Sequence, residues 1–198
     1  FLESRKEMSM DEIKTYCMNC FSEMRATGEP CAHCGWKDEG QMKNALPYGT
    51  VLGGKYLIGQ ATRINGAGIT YAALEKDTNQ KVEVREFFPT TLAFRAPNGV
   101  SVKPAAGTEL KYEDYLSEFE RYAQKLIRIS GTKRMITVLD TFSENNTQYI
   151  VFLYVESVSL RSYVEQNGIL SWADCEPYFL TVIHSHSHIH RQNVAPVS

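Results

Sequence analysis

Four of the five cysteines in this 198-residue chain form two C-x-x-C pairs, Cys17 with Cys20 and Cys31 with Cys34, separated by ten residues. Each pair forms a tight knuckle whose two sulfurs point towards one ion, and the loop between them can bring both knuckles into a tetrahedral site. Thiolate ligands in this geometry favour zinc, with iron as the alternative. Because four protein ligands leave no position for water, the metal is predicted to be structural and to supply much of the module's folding free energy.

Other interpretations of the four cysteines are a redox dithiol or a set of unrelated buried side chains. His33 lies between two of the cysteines, and its imidazole is expected to point away from the metal. The loop at residues 21–30 contains one Arg and two Glu. This composition favours a docking or spacer role over nucleic-acid binding.

Arg85 is the second residue whose position indicates chemistry. It lies in residues 81–88, where apolar and polar side chains alternate with the period of a β-strand that stops at Pro89. Such a strand fixes the backbone at Arg85, and the side chains of Arg85 and Glu83 project from the same face of it. An ion pair between these two side chains is therefore one expectation.

The segments around this strand predict the elements that position it. An Asn-Gly turn at residues 65–68 separates two apolar runs, as in a β-hairpin, and a second hairpin signal lies at residues 97–99. Residues 112–129 repeat apolar side chains at helical spacing. Residues 135–142 and 148–155 read as two further strands, and a serine-capped helix is predicted to begin after Ser171.

In this order, the elements from residue 56 onwards resemble the start of a bacterial member of the eukaryotic-type serine/threonine protein kinase family. The resemblance covers residues 45–198 and implies an α+β fold. Its amino-terminal lobe would have a five-stranded antiparallel sheet plus one helix, followed by the start of a helical lobe. The predicted domains are a zinc ribbon with its lead-in (1–40), a linker (41–48), the kinase-like lobe (49–156) and the incomplete helical lobe (157–198).

The resemblance also implies a nucleotide cleft, but the glycine turn of this cleft is altered. In the family, three glycines let backbone N–H groups close over the phosphates. Here Arg63 and Asn65 occupy the positions of the first two glycines, and Gly68 occupies the position of the third. Gly66 is an additional glycine between them. Both replacements add bulk where a phosphate would need backbone contact.

The rest of the implied cleft is altered as well. Arg85 takes the place of the phosphate-binding lysine, and Tyr122 takes the place of the glutamate that pairs with it. Glu83 replaces an alanine in the apolar roof over adenine, where an unpaired carboxylate costs several kcal/mol. Phe152 falls at the back of the adenine pocket and narrows it.

The carboxy-terminal residues lack the family's catalytic carboxylate in either possible alignment. Anchoring on Pro196 puts Asn193 at the position of the catalytic Asp and Ser198 at that of the magnesium-binding Asn. Anchoring on His190-Arg191 puts Gln192 at the Asp position instead. No catalytic residue is therefore expected to be intact.

Composition excludes several other functions. The net charge of −2 gives no electrostatic support for binding nucleic acid or anionic lipid, and no apolar run is long enough to span a membrane. Residues 49–56 nearly match a phosphate-binding G-x-x-x-x-G-K-[ST] loop, but Tyr56 stands at the last position and a strand follows. The alternating tract His184, His186, His188 and His190 is expected to be a surface feature rather than a metal site.

The sequence thus favours a pseudokinase that acts as a regulatory or scaffolding module and binds protein partners, with one structural zinc ion. Binding of ATP and Mg²⁺ is expected to be weak or absent. The alternatives are a divergent active serine/threonine kinase that uses ATP, and a zinc-ribbon nucleic-acid-binding protein. Reduced cysteines and the lack of a membrane segment predict a cytoplasmic location.

Overall fold

The computed structural model describes residues 16–24, 28–131 and 136–191. The lead-in at residues 1–15 and the segment at residues 192–198 lie outside this part of the chain. Within it, no helix combines the length and the hydropathy needed to cross a membrane.

Six antiparallel strands form the main sheet. They are β1 (Val51–Leu52), β2 (Tyr56–Asn65), β3 (Gly68–Glu75), β4 (Gln80–Phe87), β7 (Val138–Glu144) and β8 (Thr147–Leu153). Their order across the sheet is β1-β2-β3-β4-β8-β7. The five long strands are those that the sequence predicts, and β1 is an addition. Two residues are too few to show an alternating pattern, so the short edge strand gives no signal in the sequence.

One long helix, α1 (Glu109–Ile129), packs against this sheet. It begins three residues before the predicted start and ends at the predicted residue. Its buried stripe consists of Tyr112, Phe119, Ala123, Leu126 and Ile129. The recurrence of these apolar side chains on one face makes tertiary packing, rather than intrinsic propensity, the main source of the helix's stability.

Strand β4 runs through the interior and is covered on both faces. On one face, the Phe87 ring centroid lies 5.6 Å from that of Tyr112 and 5.2 Å from that of Phe119, both in α1. Because side chains alternate along a strand, Arg85 lies on this face and Glu86 on the opposite one. The two faces therefore present two charged groups to different surroundings.

The insertion after β4 contains the second predicted hairpin. Its strands are β5 (Ala93–Arg95) and β6 (Val102–Pro104). The Asn98 side-chain oxygen accepts hydrogen bonds from the N–H groups of Val100 and Ser101, at 3.1 and 3.0 Å. The Val102 N–H donates to the Asn145 carbonyl in the turn between β7 and β8, which holds the hairpin against the main sheet.

Two helices follow the sheet, α2 (Leu160–Asn167) and α3 (Trp172–Arg191). The predicted cap of α3 is present, because the Asp174 N–H donates to Ser171 Oγ while the Ser171 N–H donates to Asp174 Oδ2. This reciprocal pair satisfies two backbone groups at the start of the helix. The histidine tract lies on α3, where the side chains of His188 and His190 fall outside the described part of the chain.

Candidate functional site

The four cysteines of the two C-x-x-C pairs come together at one point. Their Sγ atoms all lie within 4.8 Å of one another. The Cys17–Cys34 and Cys20–Cys31 sulfur pairs are each 3.7 Å apart. Tetrahedral zinc with bonds of about 2.3 Å requires sulfurs about 3.8 Å apart, so the cluster fits one metal ion held by four thiolates.

The two knuckles share the same backbone geometry. The Phe21 N–H donates to the Cys17 carbonyl at 2.8 Å, and the Gly35 N–H donates to the Cys31 carbonyl at 2.7 Å. The two residues that donate these hydrogen bonds have a left-handed backbone conformation, with φ of +60° at Phe21 and +71° at Gly35. Glycine adopts this conformation freely, whereas phenylalanine does so at a cost of about 1–2 kcal/mol. The Phe21 side chain must therefore gain contacts that offset this strain.

The two thiols of the first knuckle, Cys17 and Cys20, differ in pKa. Burial raises the pKa of the Cys17 thiol to about 12. Burial acts in the same direction on Cys20, but hydrogen bonds with the side chain and backbone of Ser22 and with the Cys34 and Cys17 side chains outweigh it and lower the pKa of Cys20 to about 7. A bound metal would hold both as thiolates, so it displaces a proton more easily from Cys20 than from Cys17.

The first knuckle is fastened directly to strand β2. The Gln60 N–H donates to the Met18 carbonyl at 2.6 Å, at a bulge in the pairing of β2 with β3. A Cβ atom at Gly59 would lie 2.1 Å from that carbonyl oxygen and 2.8 Å from Cζ of Phe21. Only glycine allows this approach, and it gives the buried Phe21 ring the contact that its strained backbone needs.

The segment at residues 41–48, predicted as a linker, packs against the same part of β2. The Gln41 side chain donates to the carbonyls of Leu46 and Gly59 and accepts from the Ala61 N–H, at 2.9, 3.0 and 2.9 Å. Leu46 is fully buried in the core. The cysteine ribbon and residues 41–48 therefore both form hydrogen bonds with residues 59–61 of β2.

A buried ion pair joins Glu86 to Arg95 on the face of β4 opposite Arg85. Two parallel hydrogen bonds of 2.7 Å connect the guanidinium to both carboxylate oxygens, and Glu86 is 0% exposed. The hydroxyls of Tyr71 and Tyr149 also donate to this carboxylate, at 2.7 and 3.2 Å. Burial and the negative charge of Glu86 raise the pKa of both tyrosines, which keeps them neutral donors.

Further hydrogen bonds connect this network to residues 41–48 and to the inserted hairpin. Arg95 also donates to the carbonyls of Asn44 and Val100, and the Leu46 N–H donates to the Tyr71 hydroxyl. Such a bidentate pair, with its other donors also satisfied, is the favourable form of a buried ion pair. No motif in the sequence indicates it; the one signal is that the Glu86 carboxylate occupies an otherwise apolar position of the strand.

On the helix-facing side of β4, Arg85 has a different environment. Its guanidinium is half-buried and donates a long hydrogen bond of 3.4 Å to Asn65 Oδ1 in the β2–β3 turn. Burial and the nearby charge of Arg63 lower the pKa of Arg85. Tyr122 of α1 lies within electrostatic range of Arg85, and burial raises the pKa of its phenol. The α1 side chain near Arg85 is therefore a neutral phenol and not a carboxylate.

Glu83 and Phe152, both predicted as cleft residues, are direct cross-strand neighbours in the pairing of β4 with β8. Both side chains are half-buried. The expected ion pair between Glu83 and Arg85 is not among those that the described residues form. Side chains two residues apart on a strand stand well apart, and the Arg85 guanidinium reaches the turn instead.

The two glycines of the turn have different roles. A Cβ at Gly68 would lie 2.2 Å from the Glu86 carbonyl oxygen, so close strand pairing accounts for this glycine without any ligand. A Cβ at Gly66 would meet nothing within 4 Å. Gly68 therefore has a structural function.

Replacing Gly68 by alanine should lower the free energy of unfolding by about 1–3 kcal/mol, because the added methyl group forces β3 away from β4. The matched change Gly66→Ala should alter it by less than about 0.5 kcal/mol. Urea unfolding of both variants measures the difference. Equal effects of the two substitutions would contradict this assignment.

A cavity of about 330 Å³ lies beside the turn. Its lining comprises Gly66, Ala67, Phe87, Pro89, Thr91, Leu92, Tyr115, Glu118 and Phe119. Of the predicted cleft residues, only Gly66 contributes to it. The cavity is mainly apolar, with one carboxylate, and its lining lacks the cation that a phosphate group needs.

Two further predicted site residues, Asn193 and Ser198, lie outside the described part of the chain. Helix α3 ends at Arg191. The two alternative alignments of the carboxy-terminal segment therefore remain predictions.

Comparison with known proteins relates this geometry to protein kinases. No protein-family model matches the chain. A probable serine/threonine-protein kinase of Clostridium acetobutylicum is 24% identical over 149 residues, which is 72% of this chain and 20% of that protein. The probable serine/threonine-protein kinase PknB of Bifidobacterium longum is 24% identical over 163 residues, or 77% of this chain and 21% of its own length. The chain thus spans about a fifth of the length of the curated relatives it matches.

Solved structures share the fold. The apo form of PpkA-294 superposes with a TM-score of 0.57 and 26% identity, over 62% of this chain and 43% of that one. Rad53 in complex with AMP-PNP superposes with a TM-score of 0.52 and 11% identity, over 70% of this chain and 31% of that one. The predicted fold class is therefore confirmed: a kinase-like amino-terminal lobe, preceded by a four-cysteine cluster and similar in sequence to bacterial serine/threonine kinases.

Proposed function

We propose that this chain is a pseudokinase, a kinase-like module without efficient phosphoryl transfer, that acts by binding other proteins. The observation that supports this most directly is the neutral Tyr122 near Arg85, where the resemblance requires a glutamate. Phosphoryl transfer in kinases depends on the lysine–glutamate pair and on magnesium-bound phosphates. An arginine opposed by a phenol supplies neither the compact ammonium nor its counter-charge.

The other altered positions support the same proposal. Glu83 and Phe152 lie side by side where an adenine ring would need an apolar pocket. Gly68 is accounted for by strand pairing, and Gly66 is exposed. In this proposal Asn193 and Ser198 stand where the family has its catalytic and magnesium-binding residues, so the catalytic loop is altered as well.

The proposed metal of the ribbon is structural zinc. The all-thiolate donor set and the 3.7 Å separations between sulfurs support this choice. With all four ligands supplied by Cys17, Cys20, Cys31 and Cys34, the ion would stabilise the fold rather than activate water. Cysteines that must stay reduced to bind a metal suit a reducing compartment, in keeping with the proposed cytoplasmic location.

The proposed partners are proteins rather than nucleic acid. The net charge of −2 gives no long-range attraction to a phosphate backbone. Large apolar side chains such as Trp172 and Ile183 are exposed on α3 and form a surface that protein contacts would cover.

Thermal unfolding with Mg·ATP tests the proposal. A ligand at a hundredfold excess over its Kd stabilises by about 2.7 kcal/mol, or roughly 5–10 °C in Tm for a chain of this size. We expect a shift below about 1 °C at millimolar Mg·ATP, equal to that of ATP without magnesium. Arg85→Met should leave the result unchanged. A magnesium-dependent shift of several degrees that Arg85→Met abolishes would instead support a divergent active kinase.

A further inference from the structure

The apolar cavity between the end of β4 and helix α1 has no role in the proposed loss of phosphoryl transfer. Its volume is about 330 Å³, near the lower limit of the range found for ligand pockets. Three aromatic side chains line it: Phe87 at the end of β4, and Tyr115 and Phe119 in α1. Phe87 and Phe119 are buried, with ring centroids 5.2 Å apart, so this part of the wall is already formed without a ligand.

The segment that follows β4 forms another wall of the cavity. Pro89 and Leu92 line the cavity, and the Leu92 N–H donates to the Pro89 carbonyl at 2.9 Å. The Leu92 carbonyl accepts from the Ala105 N–H at 2.7 Å and from Thr108 Oγ1 at 2.9 Å. Thr108 directly precedes α1, so these hydrogen bonds connect the wall formed by Pro89 and Leu92 to the start of the helix.

The polar side chains of the cavity are suited to a positively charged ligand. They are the hydroxyls of Thr91 and Tyr115 and the carboxylate of Glu118. Glu118 belongs to no ion pair among the described residues. Asp114 precedes it by one helical turn and adds a second carboxylate on the same side of α1. The cavity therefore combines apolar walls with a carboxylate that has no counter-ion in this part of the chain.

The Tyr115 ring already attracts a cation. The Lys111 Nζ atom lies 5.6 Å from the ring centroid, within the range of a cation–π contact. Lys111 is exposed and is not part of the cavity lining. Tyr115 and Glu118 are three residues apart and are neighbours on the surface of α1. A cation bound in the cavity could therefore contact the ring and the carboxylate together.

We infer that this cavity is a docking site for an arginine side chain of a partner protein, flanked there by apolar residues. A guanidinium stacks on aromatic rings and pairs with a carboxylate through two hydrogen bonds, while its aliphatic stem packs against apolar side chains. Gly66, Thr91 and Glu118 are exposed, so a side chain of another protein can reach the cavity from solvent. The inference rests on the proposed function, because it states the chemistry of one protein partner.

Other occupants match the lining less well. A phosphate group would be repelled by the Glu118 carboxylate, and the lining contains no lysine or arginine to offset this. An uncharged apolar side chain would remove water from the carboxylate without supplying a partner. A lysine would supply the charge but not a planar group that pairs with the carboxylate at two points.

The test is an NMR titration of the full metal-loaded chain with two short peptides, acetyl-Leu-Arg-Leu-amide and its citrulline analogue, in which a neutral urea replaces the guanidinium. We expect the arginine peptide to bind about fivefold more tightly, because an exposed ion pair and a cation–π contact distinguish the two. This preference should shrink as salt is added. Equal affinities, or no binding of either peptide, would overturn the inference.

Two variants locate the site on α1. Glu118→Gln keeps the shape of the side chain and should reduce the preference for arginine to about twofold. Tyr115→Leu removes a partly exposed ring and should weaken binding of the arginine peptide about threefold. The matched control is Glu113→Gln, which neutralises an exposed carboxylate of α1 outside the lining and should leave both affinities unchanged. A fivefold preference that persists in Glu118→Gln, or an equal loss in Glu113→Gln, would contradict the assignment.

These outcomes are distinct from the test of the proposed function. A large Mg·ATP shift in wild type would contradict the pseudokinase proposal. Equal binding of the arginine and citrulline peptides would contradict only the docking site.

Discussion

Replacing Arg95 by methionine should lower the free energy of unfolding by about 3–5 kcal/mol, because it leaves the Glu86 carboxylate buried without its counter-ion. Glu86 is 0% exposed and, among the described residues, would keep the Tyr71 and Tyr149 hydroxyls as donors. Urea unfolding of the whole chain measures the loss. The matched control is Arg161→Met, which removes an exposed arginine from α2 and should change stability by less than about 0.5 kcal/mol.

The double variant Arg95→Met/Glu86→Leu distinguishes the missing counter-ion from simple loss of packing. With both charges removed, no buried charge remains, and the variant should be clearly more stable than Arg95→Met alone. A double variant that is as unstable as the single one would mean that the network does not act as an ion pair. A loss near that of Arg161→Met would mean that Arg95 contributes little.

Replacing Cys31 by serine should abolish stoichiometric metal binding and unfold the ribbon. Structural zinc in small modules supplies apparent binding free energies of about 10–16 kcal/mol, far more than so small a core can provide. We expect about one zinc per chain in wild type and almost none in the variant after desalting, as measured by elemental analysis. The Tm should fall in parallel.

The fifth cysteine provides the control for this experiment. Cys175 lies in α3, outside the four-sulfur cluster. Cys175→Ser should keep one zinc per chain and an unchanged Tm. If Cys31→Ser retained its metal, or if iron rather than zinc copurified with wild type, the proposed site would need revision.

Regular elements and the cysteine cluster were predictable because their signals are local. The alternation around Arg85 predicts strand β4, the apolar repeat from Tyr112 to Ile129 predicts α1, and the spacing of two C-x-x-C pairs predicts the cluster. Each signal needs only near neighbours in the chain and a known geometric period.

The Glu86–Arg95 network was not predictable in the same way. Its tyrosines, Tyr71 and Tyr149, come from strands on either side of β4, and its arginine comes from an inserted hairpin. The pairing of strands and the path of the insertion must be known before these groups can be placed together. Only Glu86, a carboxylate at an apolar position, hints that a partner exists.

The Asn65 contact was missed for a related reason. The sequence shows a bulky residue at a glycine position, but not that its amide oxygen reaches both the turn N–H groups and Arg85. Register between β3 and β4 decides this, since it sets Thr70 opposite Arg85 and Gly68 opposite Phe87.

The hydrogen bond from Gln60 to the carbonyl of Met18 has a thermodynamic consequence for the whole chain. Met18 lies between Cys17 and Cys20, two of the proposed metal ligands, so the affinity for the ion and the conformation of β2 would be linked equilibria, and such linkage is reciprocal. A ribbon cut from the chain would bind its ion more weakly than the intact protein does. Any partner that stabilises this conformation of β2 would raise the affinity for the ion, and loss of the ion would destabilise the same conformation of β2.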